Sequence, residues 1–228
     1  MDDTGNPLKV LVFSKTAGYR HSSIPASIIS IKRLGNETSK FTVTHESEDA
    51  SVISAPRLSH YDVVLFLQTT GDFLDKDQVA SLRSYINGGG GFVGVHGAAA
   101  GMKSEPWYTG LIGAGFNGHP EPQNGVIKVE RRTEETAIFG GLPESWSWFD
   151  EWYNFSTNPR DAVNVILSIN ETDYQGGRMG NDHPLAWYRG YDGGRSFYTS
   201  LGHFEEAYED KIFMTHLLNG IMWAGGRT

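Results

Sequence analysis

The chain has no cysteine, which excludes thiol catalysis, disulfides and thiolate metal sites and leaves either redox compartment open. Nor is it basic: 19 Lys and Arg stand against 27 Asp and Glu, a formal net charge of -8. No Lys/Arg run interrupts that balance, so no surface that tracks phosphates is expected and nucleic acid is not an expected partner. Apolar runs near the ~20 residues of a membrane span are missing, as is a charged-then-apolar opening segment, so the chain reads as soluble, with no membrane partner. Internal repeats, low-complexity tracts, H-E-x-x-H, a P-loop and a strand-turn-helix G-x-G-x-x-G are absent too. A nucleotide cofactor is therefore not expected.

What is present suffices for a full core. With 228 residues, 39% of them hydrophobic, and no stretch that reads as a linker, residues 1–228 are expected to form one domain. Met1 before "DDTGNP" reads as a start placed ahead of a processed mature terminus, and Asn36, Asn154 and Asn170 each open an N-x-S/T acceptor sequence. Both point to an extracellular, secreted form.

Apolar patterning predicts strands at residues 8–13, 41–45, 61–67, 91–95, 126–131, 164–169, 185–189 and 196–201, the last two joined as a hairpin by "GYDGG". Between the early strands lie helices. One starts at Ser22 or Ser23, tolerates Pro25 and stops at Gly35; the next is capped by Asp75 with Gln78 in the capping-box position. A short helix over 106–113 and a closing one over 208–223 complete the set. Strand-helix alternation with short connections predicts a doubly wound parallel α/β sheet.

The organising stretch is "GGGGFVGVHGAAA", residues 88–100. An apolar strand running straight into a Gly/Ala turn places one side chain, here His96, at the carboxyl edge of a sheet, where ligands bind in such folds. A second stretch, "WSWFDEWYNF", embeds Asp150 and Glu151 among aromatics. Carboxylates in an apolar stretch must be paired, hydrated or bound to something, and aromatics flanking polar groups suit sugar faces. Within a strand these neighbours point to opposite faces, so if Glu151 faces the site, Asp150 braces a loop or a histidine. His21, His96, His119, His183 and His203 each lie at a strand end or in a Gly/Pro-rich loop, whereas His45, His60 and His216 read as structural.

Together "VLVFSKTAGYRHSSI", "YDVVLFLQTTGDFLDKDQ", "GGGGFVGVHGAAA", "GAGFNGHP", "DEWYNF", "HPLAWYR" and "GGRSFYTSLGHFEEAY" resemble the ThuA (trehalose utilisation) family, in order and at similar spacing, from Lys9 to Ala224. The resemblance implies a fold similar to class I glutamine amidotransferases, a flavodoxin-like, mostly parallel three-layer α/β sandwich, and a role in carbohydrate metabolism. Those amidotransferases place a nucleophilic cysteine at the elbow where this chain has His96, with a His-x-Glu pair later in the chain that His203 and Glu205 match in spacing. An imidazole cannot form the glutamyl thioester, so glutamine hydrolysis is not expected.

Two classes of function remain open. The first is an enzyme acting on a sugar or glycoside by lyase, isomerase or keto-sugar chemistry, with His96, His203, Glu151, His21 and His119 as the catalytic set. Tyr19, Trp107, Trp148, Tyr153, Asp150, His183 and Glu205 would then contact the carbohydrate. A two-carboxylate hydrolysis fits less well, because Asp150 and Glu151, adjacent in sequence, are poorly placed to flank a bond at about 5 to 9 Å. The second class is a non-catalytic carbohydrate-binding or accessory domain. His96, His119, Glu151 and His203 also make a plausible first shell for a divalent metal, zinc or similar, although their spacing does not establish convergence. Oligomeric state is not legible.

Overall fold

Along each inner strand, successive side chains feed two separate cores. Val10 and Val12 face one, Leu11 and Phe13 the other; Val63, Leu65 and Leu67 share the first, Val64 and Phe66 the second. Period-two alternation with both faces apolar is what a central sheet covered on two sides requires. The structure is a computed structural model that describes residues 5–131 and 137–227; residues 1–4, on which part of the terminus reading rests, lie outside them.

In chain order the elements are β1 (Leu8–Phe13), α1 (Ile24–Thr38), β2 (Phe41–Ser47), α2 (Ala55–Leu58), β3 (Val63–Leu67), α3 (Lys76–Asn87), β4 (Gly91–Val95), α4 (Pro106–Ile112), β5 (Gln123–Val129), β6 (Ser145–Asp150), β7 (Asn164–Ile169), β8 (His183–Tyr191), β9 (Gly194–Thr199) and α5 (Lys211–Ala224). They build one sheet in the order β2-β1-β3-β4-β9-β8-β7-β5-β6. From β2 to β9 the pairings are parallel; from β9 to β6 they are antiparallel. Ile31, Phe213, Leu217 and Ile221 of α1 and α5 pack on one face, and Leu58, Leu82, Ile86 and Leu111 of α2, α3 and α4 on the other.

The doubly wound pattern thus holds for the first half of the chain and gives way in the second. Parallel neighbours need a crossover of a dozen or more residues, and among the described residues no α-helix separates β5 from β9, so this part meanders. The meander still returns β7 and β6 to the sense of β4, so seven of the nine strands run the same way. Glu151, directly after β6, therefore emerges at the edge where β4 delivers His96.

The strand expected over 126–131 lies at Gln123–Val129, that over 185–189 extends to His183–Tyr191, and β6 is an additional strand; two helix boundaries differ for physical reasons. Gly35 does not stop α1: a Cβ there would lie 2.7 Å from the Phe41 carbonyl oxygen, so the glycine admits a close approach and the helix runs on to Ser39, at φ +55°. The last helix begins at Lys211, because Asp210 accepts from the Ile212 and Phe213 amides and caps it there. The Asp75–Gln78 capping box of α3 is present as read.

Candidate active site

Val95 is the last extended residue of β4, and His96 turns the chain with φ at +49°, a left-handed conformation uncommon outside glycine. The turn is held from within. The Tyr198 hydroxyl donates to the His96 carbonyl at 2.9 Å, and Gly97 allows a tight fit, since a Cβ there would stand 3.0 Å from Cγ2 of Thr70 and 3.1 Å from Cε1 of His21. The His96 ring is fully buried, and its Nδ1 lies 2.6 Å from the Ser200 carbonyl. A carbonyl only accepts, so Nδ1 carries the proton and Nε2 presents a lone pair to the site. That lone pair receives the Tyr153 hydroxyl at 2.8 Å.

Glu151 stands at the centre. One carboxylate oxygen lies 3.0 Å from Nδ1 of His203 and 3.4 Å from Nε2 of His96, and the other lies 3.5 Å from Nε2 of His119. His21 closes the group edge-on, its ring centroid 4.9 Å from that of His96 and 5.1 Å from that of His203. Burial raises the Glu151 carboxyl, but the hydrogen bond from Nδ1 of His203, together with the neighbouring His96 imidazole, outweighs it and holds the group well below the usual carboxylate range. Burial, reinforced by the neighbouring imidazoles of His96 and His203, lowers His21 to about 3, so it stays neutral. Burial also raises the Tyr153 phenol well above its ordinary value, which keeps it a donor.

Asp150 points the other way and builds the wall. Its carboxylate accepts from the amides of Glu151, Gly202 and His203 at 2.9, 2.9 and 3.3 Å and from the Trp148 indole at 3.0 Å. The His203 loop is fixed again from β3, where Gln68, itself at φ +52°, donates to the Gly202 carbonyl, and Ser23 donates to the His203 carbonyl at 2.6 Å. The sequence marks Ser23 only as a helix start, and there its hydroxyl makes no capping bond but serves the His203 loop instead; Gln68 was not singled out, a polar Gln ending the apolar run of β3 being the available signal.

His21, His96, His119, Glu151 and His203 thus meet in one place, while the remaining candidates scatter. Tyr19 is exposed at the rim, edge-on to His21 at 4.8 Å. Tyr153 is buried between His96 and Phe116 and offers its hydroxyl rather than a stacking face. Trp148 stacks on Phe213 in the core behind Asp150. Trp107 lies at the opposite edge of the sheet, where its indole donates to Asp192 in the β8–β9 turn, and so leaves the site altogether. His183 is buried between Tyr174, Glu171 and the Tyr153 carbonyl, a brace for the 151–155 segment. Glu205 is exposed and opens a single helical turn, so the His-x-Glu spacing delivers only its histidine. The metal-type quartet also differs from the sequence set: ligand atoms of His21, His96, Glu151 and His203 lie within 4.8 Å of one another, with His21 in the place expected for His119.

A mixed α/β sheet that gathers imidazoles and a carboxylate at the carboxyl ends of its strands defines a ligand-site class of α/β protein. The chain belongs to the ThuA family, described as trehalose utilisation, which matches residues 9–224. A ThuA-like protein from Bacteroides uniformis ATCC 8492 is 23% identical with a TM-score of 0.80, the match covering 98% of this chain and 94% of that one. Another, from Parabacteroides merdae ATCC 43184, is 20% identical with a TM-score of 0.80, over 97% and 91%. A beta-galactosidase from Bacillus circulans sp. alkalophilus is 14% identical with a TM-score of 0.63, over 97% of this chain and 31% of that one, a likeness of fold alone. No curated protein matches the chain.

Proposed function

We propose that the protein is an enzyme acting on a sugar or glycoside by acid/base chemistry of the lyase, isomerase or keto-sugar type. One observation carries this reading: in a chain of the trehalose-utilisation family, an ionised carboxylate, Glu151, faces three imidazoles at 3.0 to 3.5 Å at the carboxyl edge of the sheet. Such a group can take a proton from a carbon next to a carbonyl and return it elsewhere, Glu151 acting as base and His203 or His119, the two partly open imidazoles, as proton carriers. Tyr153, kept protonated, donates to Nε2 of His96 and so fixes that imidazole beside Glu151. Within this reading the fold is a flavodoxin-like sandwich of the class I glutamine amidotransferase kind, with His96 at the elbow and no thiol to hydrolyse glutamine. Extracellular action belongs to the same proposal. Exposed Asn36 and Asn170 would serve as acceptors, whereas Asn154 is buried with its amide oxygen bonded to the Arg178 amide, so the folded chain does not offer it.

A divalent metal, zinc or similar, is the second reading, favoured by the close approach of four ligand atoms and by a buried Nδ1 of His21 that has no hydrogen-bond partner. His21, His96, Glu151 and His203 would hold the ion, which would supply Lewis-acid polarisation of a sugar oxygen. One experiment separates the readings. The protein is incubated with a panel of glycosides, keto-sugars and uronates, before and after exhaustive chelation, with products followed by mass spectrometry and metal by elemental analysis. Product that survives chelation supports acid/base chemistry alone, and product lost with about one ion per chain and restored on its return supports the metal. Binding without any product would make the protein a carbohydrate-binding domain.

A further inference from the structure

Among the described residues four large hydrophobic side chains are exposed: Tyr19, Ile29, Val126 and Phe149. Two of them border the site. Ring contacts pass from Tyr19 to His21 at 4.8 Å, from His21 to His203 at 5.1 Å, from His203 to Phe204 at 4.5 Å, and from Phe204 to Phe149 at 5.4 Å. The exposed rings therefore stand at the two ends of a continuous aromatic run whose middle is the imidazole cluster.

Strand parity puts Phe149 there. Trp148 and Asp150 turn toward Phe213 and the Gly202 amide, so Phe149, between them, must face water. The ring is 49% exposed, and directly across the ladder, on the same face, stands the exposed amide side chain of Asn124. An apolar ring face beside an amide suits a pyranose, which presents a C–H face flanked by hydroxyls. A protein partner fits poorly, since a stable interface covers about 800 Å² on each side, and around Phe149 this face of β5 and β6 exposes a single further apolar side chain, Val126, among Lys128, Ser145 and Ser147.

We infer that Phe149 and Phe204, with Asn124, form a subsite for a second sugar ring, beside the ring that meets Glu151, and that the ligand therefore has at least two rings. This rests on the carbohydrate reading. Saturation-transfer NMR with trehalose, maltose and cellobiose, and with glucose as a single ring, tests it in the intact protein, with product formation read from the same samples. Both rings of at least one disaccharide receive saturation in the wild type. In Phe149→Ala the second ring loses it and binding weakens roughly tenfold, glucose contacts and melting temperature stay as they were, and Phe149→Trp restores both rings. Failure of the wild type to bind any of the three disaccharides, or a bound disaccharide that Phe149→Ala holds as the wild type does, overturns the subsite, and so does an equal loss for glucose. Disaccharide held through Phe149 without product leaves the subsite standing and removes the enzyme.

Discussion

Exchanging Glu151 for Gln is expected to lower kcat/KM on a turned-over sugar by about 10²- to 10⁴-fold, the range that a positioned general base contributes. Gln keeps the volume but not the charge, and it cannot accept a proton from substrate or pair with a protonated His203 at 3.0 Å. The drop should fall on kcat rather than KM, because the carboxylate acts on the reacting atoms and the outer rings are held elsewhere. For the imidazole side of the pair, His96→Asn is the cleaner variant than His96→Ala. Position 96 sits at φ +49°, which Asn adopts more readily than Ala, so loss of the ring is separated from loss of the elbow. Initial rates of both variants within threefold of the wild type would remove Glu151 and His96 from the chemistry.

Mild acid is expected to destabilise the folded chain steeply. His21 and His216 are buried, and burial lowers each to about 3, against 6.5 for an ordinary histidine. A group whose proton affinity falls on folding makes the unfolded state the better proton binder between those two values, so stability is lost as pH drops below about 6.5. Each site then costs up to about 1.4 kcal/mol per pH unit, and the pair about 4 kcal/mol by pH 5. Glu151 gives no offset in this window, because its carboxyl is held low and stays ionised throughout. His216 lies on α5 against Phe197, and neither ring nitrogen has a hydrogen-bond partner. His216→Leu should therefore reduce the acid sensitivity, leaving the contributions of His21 and His183, which burial also lowers, and, by removing two unpaired polar atoms, add about 1 to 3 kcal/mol at neutral pH. Urea unfolding between pH 5 and 7.5 measures both effects. A flat profile in the wild type, or a His216→Leu variant as acid-sensitive as its parent, would contradict this account.

Much of the site was legible because one physical feature wrote it into the sequence. An apolar strand that breaks into Gly and Ala at His96 signals a carboxyl-edge elbow, and Gly97 permits the close approach of the His21 ring. The opposed roles of Asp150 and Glu151 were likewise readable from neighbour parity. The same parity, carried one residue further, would have exchanged Trp148 for Phe149 at the rim, since Trp148 shares the inward face of Asp150. Trp107 misled because composition says that an aromatic is available, not which edge of the sheet it reaches; α4 returns the chain beneath the β8–β9 turn. Antiparallel pairing of β8, β7, β5 and β6 was hidden for a different reason. Short apolar runs look alike in either ladder, and only the lack of α-helices between them marks the change. His21 joined the quartet in place of His119 through the fold of the 14–23 loop, which no local pattern encodes.

Central to all of this is that the cluster around Glu151 is where a sugar binds and reacts, and a crystal of the Glu151→Gln variant soaked with trehalose, maltose or cellobiose tests it most directly. The account predicts one sugar ring within hydrogen-bonding distance of position 151, His203 and the Tyr153 hydroxyl, with the next ring on Phe149 and Phe204. Saccharide density elsewhere, such as at the opposite edge beside Trp107, with the cluster left to solvent, would contradict it.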